Sequence, residues 1–150
     1  MDELQLDQQL CFKLYAASRM VVRAYKPMLD RLQLTYPQYL AMLVLWEWDA
    51  TPPEQPTVKA LGERLLLDSG TLTPLLKRLQ QAGLVQRRRS AEDEREVHLG
   101  LSAAGRELRA QVPELKRELL CEHAVDSAEL EPLRAQLDQL LQRMRSLQVP

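Results

Sequence analysis

The stretch from Thr57 to Leu101 restricts the fold more than any other part of this chain. TVKALGERLLL opens on a threonine suited to cap a helix. After the turn LDSG a second helix, TLTPLLKRLQQAG, stops at Gly83, where a left-handed cap is sterically free. Two short helices joined by a tight turn predict a helix-turn-helix. LVQRRR and REVHLGL follow, rich in arginine and β-branched residues and separated by the polar SAEDE, which predicts a β-hairpin. The expected class is therefore mainly α with a small β-hairpin wing, a winged helix-turn-helix.

The flanks are helical. Leu10, Leu14, Ala17 and Val21 follow helical steps. Cys11, Tyr15, Ser18 and Val22 form a second row ~100° away, which places Cys11 at the border of the expected buried face. Pro27 predicts a kink or break near Tyr25. Thr35 suits the N-cap of TYPQYLAMLVLWEW, whose nearly all-round apolar character predicts a central helix. DATPPEQP, residues 49–56, reads as a loop. Ser102 is expected to cap a helix spanning AAGRELRAQVPELKRELLCEH with a kink or break at Pro113, and Asp126 with Glu129 has capping-box spacing before the last helix. In that helix Leu130, Leu133, Leu137, Leu140, Met144 and Leu147 recur every three or four positions. Residues 35–101 are thus expected to make a central helix and a winged helix-turn-helix, an arrangement suited to binding DNA. Residues 1–34 and 102–150 are expected to be mainly dimerisation helices, with an intramolecular core as the alternative.

At 150 residues the chain fits one domain. No apolar run approaches the ~18 residues of a membrane-spanning helix, and the acidic MDELQLDQQL lacks the pattern of a secretory signal, so a cytoplasmic location with no membrane partner is expected. Its two cysteines are no disulfide framework, though a regulated bridge is open. A net charge of −1 gives no global argument for nucleic acid. Locally, however, Lys77, Arg78, Arg87, Arg88 and Arg89 occur without an intervening acid. Ser69, Thr71 and Thr73 place hydroxyls in the first turn of the second helix, and Arg95 joins the basic set from the hairpin. This constellation suits base edges and phosphates, against the plainer reading of a solvated charged surface. In the run Cys121, Glu122 and His123 the cysteine and histidine, two apart on a helix, point in different directions, and no second ligand pair is evident, so no metal or cofactor is expected. His98 reads as a strand residue. No phosphate loop or nucleophile elbow points to an enzyme.

LLLDSGTLTPLLKRLQQAGLVQRRRSAEDEREVHLGLSAAG closely resembles the recognition helix and wing of the MarR family of repressors, including the Asp93-x-Arg95 pair. QLCFKLYAASR, AYKP and LTYPQYLAMLVLWE narrow the resemblance to the organic hydroperoxide resistance regulators. That resemblance implies a homodimer on operator DNA, with Asp93 and Arg95 shaping the wing and the arginine reaching a minor groove. It implies that Cys11 is the peroxide-reactive sulfur, hydrogen-bonded by Tyr25 and Tyr36 of the other subunit, and that Cys121 is the resolving cysteine that forms an intersubunit disulfide. Organic hydroperoxides are the implied signal. Three alternatives stay open: a small cellular thiol that resolves Cys11 while Cys121 is inert, a repressor released by a small phenolic ligand, and a thiol peroxidase.

Overall fold

The computed structural model describes residues 3–123 and 126–147. A 3₁₀ turn, Leu6–Gln8, leads into α1 (Leu10–Ala24) and α2 (Lys26–Leu32), then α3 (Tyr36–Ala50), α4 (Val58–Leu65) and α5 (Ser69–Gln81). Strands β1 (Val85–Arg89) and β2 (Val97–Leu101) follow, then α6 (Ala103–Leu108), a 3₁₀ turn at Arg109–Gln111, α7 (Val112–Glu122) and α8 (Ser127–Leu147). The chain divides into two compact units, one through Pro113 and one from Glu114 onward.

In the first unit local chemistry sets the boundaries. Tyr25 ends α1, and Pro27 takes the second position of α2, where its missing N–H costs nothing. Thr35 and Gln38 close a capping box: Thr35 Oγ1 accepts from the Gln38 N–H (3.3 Å) and Gln38 Oε1 accepts from the Thr35 N–H (3.0 Å). α3 is the central helix that its composition predicted, with Tyr39, Ala41, Met42, Val44, Leu45 and Trp46 buried. Full burial of each large apolar side chain is worth about 1.5–3 kcal/mol.

The second helix of the helix-turn-helix starts slightly earlier than TLTP suggested. Asp68 caps α5 by accepting from the Thr71 N–H at 2.8 Å, so the helix begins at Ser69. At the other end Gly83 has φ of 76°; the Leu84 N–H donates to Leu79 O and the Gly83 N–H to Gln80 O, a Schellman cap. Chain reversal here delivers β1 into antiparallel pairing with β2, in the register Val85 with Leu101 and Arg88 with His98. A third edge was not visible in the sequence: Thr57 bridges to His98, and the Leu99 N–H donates to Pro56 O at 2.8 Å. The loop after α3 is therefore tied to the wing.

Two long-range contacts fasten α6 into this unit. The buried Trp46 Nε1–H donates to Gly105 O at 2.8 Å. A methyl group on Gly105 would stand 2.2 Å from Leu84 O, so only glycine allows that backbone approach. The 3₁₀ turn before α7 and Pro113 near its start realise the expected break.

One expectation fails. No residue of α1 is buried: Leu10 is 61% and Val21 50% exposed, and Cys11 is exposed instead of bordering a buried face. Helical spacing correctly identified an apolar stripe, but no other element of the unit covers it. In the second unit, described by itself, α8 likewise has no buried residue, and Leu133 and Met144 are about half exposed (52% and 47%). Asp126 caps α8 through the Ala128 N–H at 2.9 Å, one position before the Glu129 amide that a capping box would use.

Gly105→Ala is expected to lower stability by about 1–3 kcal/mol, because backbone must move to admit the methyl group. A urea titration checks this as a lower midpoint at unchanged slope.

Candidate functional site

Ser69, Thr71, Thr73, Lys77 and Arg78 are all exposed on α5, while Leu72, Leu75, Leu76 and Leu79 pack its other side into the core. The helix is thus clamped by one face and presents the other. Thr73 Oγ1–H is used locally, donating to Ser69 O at 2.8 Å, which leaves its oxygen lone pairs free to accept. The burial that holds α5 also fixes the wing through β1. Arg87, Arg88 and Arg89 are exposed and alternate in direction, because successive strand side chains point to opposite faces. Arg87 Nε donates to Gln80 Oε1 at 2.9 Å, so one wing arginine is braced against α5.

The wing tip is organised by short polar side chains. Ser90 Oγ accepts from the Glu92 N–H (3.2 Å), and Asp93 Oδ1 accepts from the Arg95 N–H (3.0 Å). Asp93 O accepts from the Glu96 N–H at 3.0 Å. Asp93 therefore shapes the loop, and the Arg95 side chain, 95% exposed, projects from it. His98 lies in β2 as read, with Nε2 3.5 Å from Glu96 Oε2.

Cys11 occupies the second position of α1 and is free and exposed. No side chain caps this helix: the Gln9 amide turns back to donate to Glu3 O (2.6 Å) and Gln5 O (3.1 Å). Tyr15, one turn on, lies under the Arg19 guanidinium, 5.2 Å from ring centroid to Cζ. Cys121, near the end of α7 in the second unit, is also free and exposed. Among the described residues no group of three or more His, Cys, Asp or Glu side chains is arranged to hold a metal ion.

Tyr25 and Tyr36 do come together. Their rings meet edge to face, 5.5 Å between centroids at 78°, a pairing worth about 0.5–1.5 kcal/mol beyond its area. The turn that Pro27 follows brings Tyr25 back to the first residue of α3. Sequence reasoning missed a third member: Tyr39 packs on Tyr25 at 6.0 Å and on Tyr36 at 6.3 Å. The available signal was its position three residues after Tyr36, hence on the same helix face. Burial raises all three phenol pKa values. Tyr36 adds to the effect on Tyr25, and Tyr39, pushed up to about 12, feels Tyr25 and Tyr36 as well. At neutral pH all three are protonated hydrogen-bond donors. Among the described residues the Tyr39 hydroxyl, fully buried, has no hydrogen-bond partner, an arrangement that costs about 1–3 kcal/mol.

A clamped helix with a free polar face beside a hairpin of exposed arginines defines a winged-helix transcriptional regulator. The profile of the transcriptional regulator SarA/Rot family matches residues 23–112. The organic hydroperoxide resistance transcriptional regulator of Bacillus subtilis is 46% identical over 143 residues, 95% of this chain and 94% of that protein. Reduced AbfR bound to DNA matches with a TM-score of 0.77 at 32% identity, over 98% of this chain and 97% of the other. Disulfide-formed AbfR matches with a TM-score of 0.62 at 34% identity, over 97% and 94%; AbfR is a protein of Staphylococcus epidermidis. This chain belongs to the organic hydroperoxide resistance regulators, within the winged-helix regulators of MarR and SarA/Rot type. Among the described residues no helix is long and apolar enough to cross a membrane.

The Asp68 cap gives a pH test. Its hydrogen bond from Thr71 holds the carboxyl below its ordinary value of 3.8. The contribution is thus fully present above that value and is lost as pH falls through the lower folded-state value. Asp68→Asn is expected to melt below the parent near neutrality, with the difference shrinking as pH falls below about 4; thermal melts from neutrality into the acid range check it.

Proposed function

We propose that the protein is a repressor that occupies operator DNA as a reduced homodimer and leaves it when an organic hydroperoxide oxidises Cys11. The observation that carries this reading is the presence, in one member of the hydroperoxide-regulator family, of an exposed cysteine on an unburied apolar helix and an exposed winged helix-turn-helix. The uncovered stripes of α1 and α8 supply the faces for dimerisation. Two α5 helices then enter major grooves one turn apart, about 34–36 Å. Ser69, Thr71 and Thr73 approach base edges; Lys77, Arg78 and Arg87 to Arg89 neutralise phosphates, and Arg95, shaped by Asp93, enters a minor groove.

At the sulfur, Tyr25 and Tyr36 of the partner subunit donate hydrogen bonds to the Cys11 thiolate, and the first-turn amides of α1 add partial positive charge. The thiolate attacks the distal peroxide oxygen; the O–O bond breaks, the sulfur becomes a sulfenic acid, and the alkoxide takes a proton to leave as an alcohol. Cys121 of the other chain then attacks that sulfur as a thiolate, forming the S–S bond and expelling hydroxide, which leaves as water. A structure of disulfide-formed AbfR supports a bridge as a state that a relative can reach. Loss of the tyrosine hydrogen bonds and formation of the bridge displace the two DNA-reading heads from register. A thousandfold loss of affinity requires only ~4 kcal/mol of difference between the states.

A gel-shift titration on the protein's own promoter, before and after cumene hydroperoxide, tests the reading with nonreducing electrophoresis alongside. Cys11→Ser is expected to bind as the parent does and to stay bound after peroxide; full release would show that Cys11 is not the sensor. Cys121→Ser is expected to lose the covalent dimer, and a parent protein that gains only the mass of a small thiol would eliminate the bridge. Separately, Arg95→Ala is expected to weaken operator binding and to reduce the slope of log affinity against log salt by about one, measured by fluorescence anisotropy at several salt concentrations.

A further inference from the structure

The proposed chemistry gives hydrogen bonds to Tyr25 and Tyr36 and leaves Tyr39 without a part. Yet Tyr39 is the most enclosed of the three, 2% exposed, with its ring against both neighbours. Its hydroxyl has no hydrogen-bond partner among the described residues. A phenyl ring would fill the same space without leaving a buried donor idle. The nearest ring is that of Tyr25, and a phenol oxygen can accept a hydrogen bond while its own hydrogen is donated elsewhere.

We propose that Tyr39 is a positioning residue of the sulfur site, whose buried hydroxyl donates to the Tyr25 phenol oxygen when the Tyr25 hydroxyl donates to the Cys11 sulfur. The inference rests on the role given to Tyr25 above. A thiolate only accepts, so a phenol bound to it commits its single hydrogen and offers its oxygen to another donor. Tyr39 carries the idle donor on a ring packed against that of Tyr25; the two hydroxyls are not bonded in this structure, and the bond forms as Tyr25 turns its hydroxyl to the sulfur. A bond into that oxygen polarises the Tyr25 O–H and strengthens its bond to sulfur, the cooperative effect expected of a hydrogen-bond chain in a low-dielectric site. The chain runs from Tyr39 through Tyr25 to Cys11, and it favours the thiolate over the thiol. Because burial and the neighbouring phenols keep Tyr39 protonated up to about 12, its hydrogen is available throughout the range in which a cysteine titrates.

The test is the pH profile of Cys11 alkylation by iodoacetamide in the full-length dimer carrying Cys121→Ser, which leaves one reactive sulfur. Adding Tyr39→Phe is expected to move the midpoint up by about half a unit, and to slow oxidation by cumene hydroperoxide about threefold near neutral pH. Operator binding by the reduced protein should not change, and the thermal midpoint should hold or rise as the idle hydroxyl is removed. A role in packing alone predicts the thermal result and no movement of the profile, so an unmoved profile overturns the proposal. Tyr25→Phe is measured in parallel. If it moves the profile and Tyr39→Phe does not, the role of Tyr25 stands and that of Tyr39 falls; if Tyr25→Phe has no effect, the underlying assignment fails and the inference goes with it. Because Tyr39 acts through Tyr25, the double variant should match Tyr25→Phe alone, and additive shifts would also refute the chain.

Discussion

Burial of α3 is the constraint on which the rest of the first unit depends. A helix that is apolar on nearly every side is stable only when surrounded, so the neighbouring elements must close around it. The same rigid helix then serves both ends of the unit. Its first turn carries Tyr36 and Tyr39, and Trp46 near its last turn holds Gly105 by a buried hydrogen bond. Ten residues at about 1.5 Å each place these ends about 15 Å apart along one axis. The tyrosine cluster and the contact with α6 are therefore carried by one helix.

The unit spends its apolar and charged surface differently. Leucines from α5 are buried to the last one, whereas the stripe of α1 is left open. Charge follows the same division of labour. The net charge of −1 conceals a basic run on α5 and β1, and the acidic residues near it are employed as architecture: Asp68 caps the helix and Asp93 folds the wing tip. Exposed ion pairs such as Arg106 with Asp49 (3.0 Å) and Arg64 with Glu47 add no more than about 1 kcal/mol each. Stability comes from the core and the caps.

Much of the fold was legible because its signals are local. Thr35, Thr57 and Ser102 each cap the helix that follows, and Gly83 ends α5 with the left-handed turn its position suggested. Pro27 and Pro113 mark breaks for the same steric reason. The exposed polar face of α5 follows directly from the spacing of Leu72, Leu75, Leu76 and Leu79. For α1 less was legible: periodicity identifies an apolar face and carries no information about what covers it. Tyr39 was passed over for a related reason, since in a string of apolar residues it is indistinguishable from core.

The sequence by itself determined the order of the helices and strands, the helix-turn-helix with its wing, and the two segments that resemble the hydroperoxide regulators. Each of these rests on interactions between residues a few positions apart. Tertiary structure alone decided that Tyr25, Tyr36 and Tyr39 form one cluster, that the Pro56–Thr57 segment lies along β2, that Gly105 touches Leu84, and that α1 with Cys11 stays uncovered. Those facts join residues distant in the chain, or record which surface a unit fails to cover. Both depend on how all the elements pack at once, which no local spacing encodes.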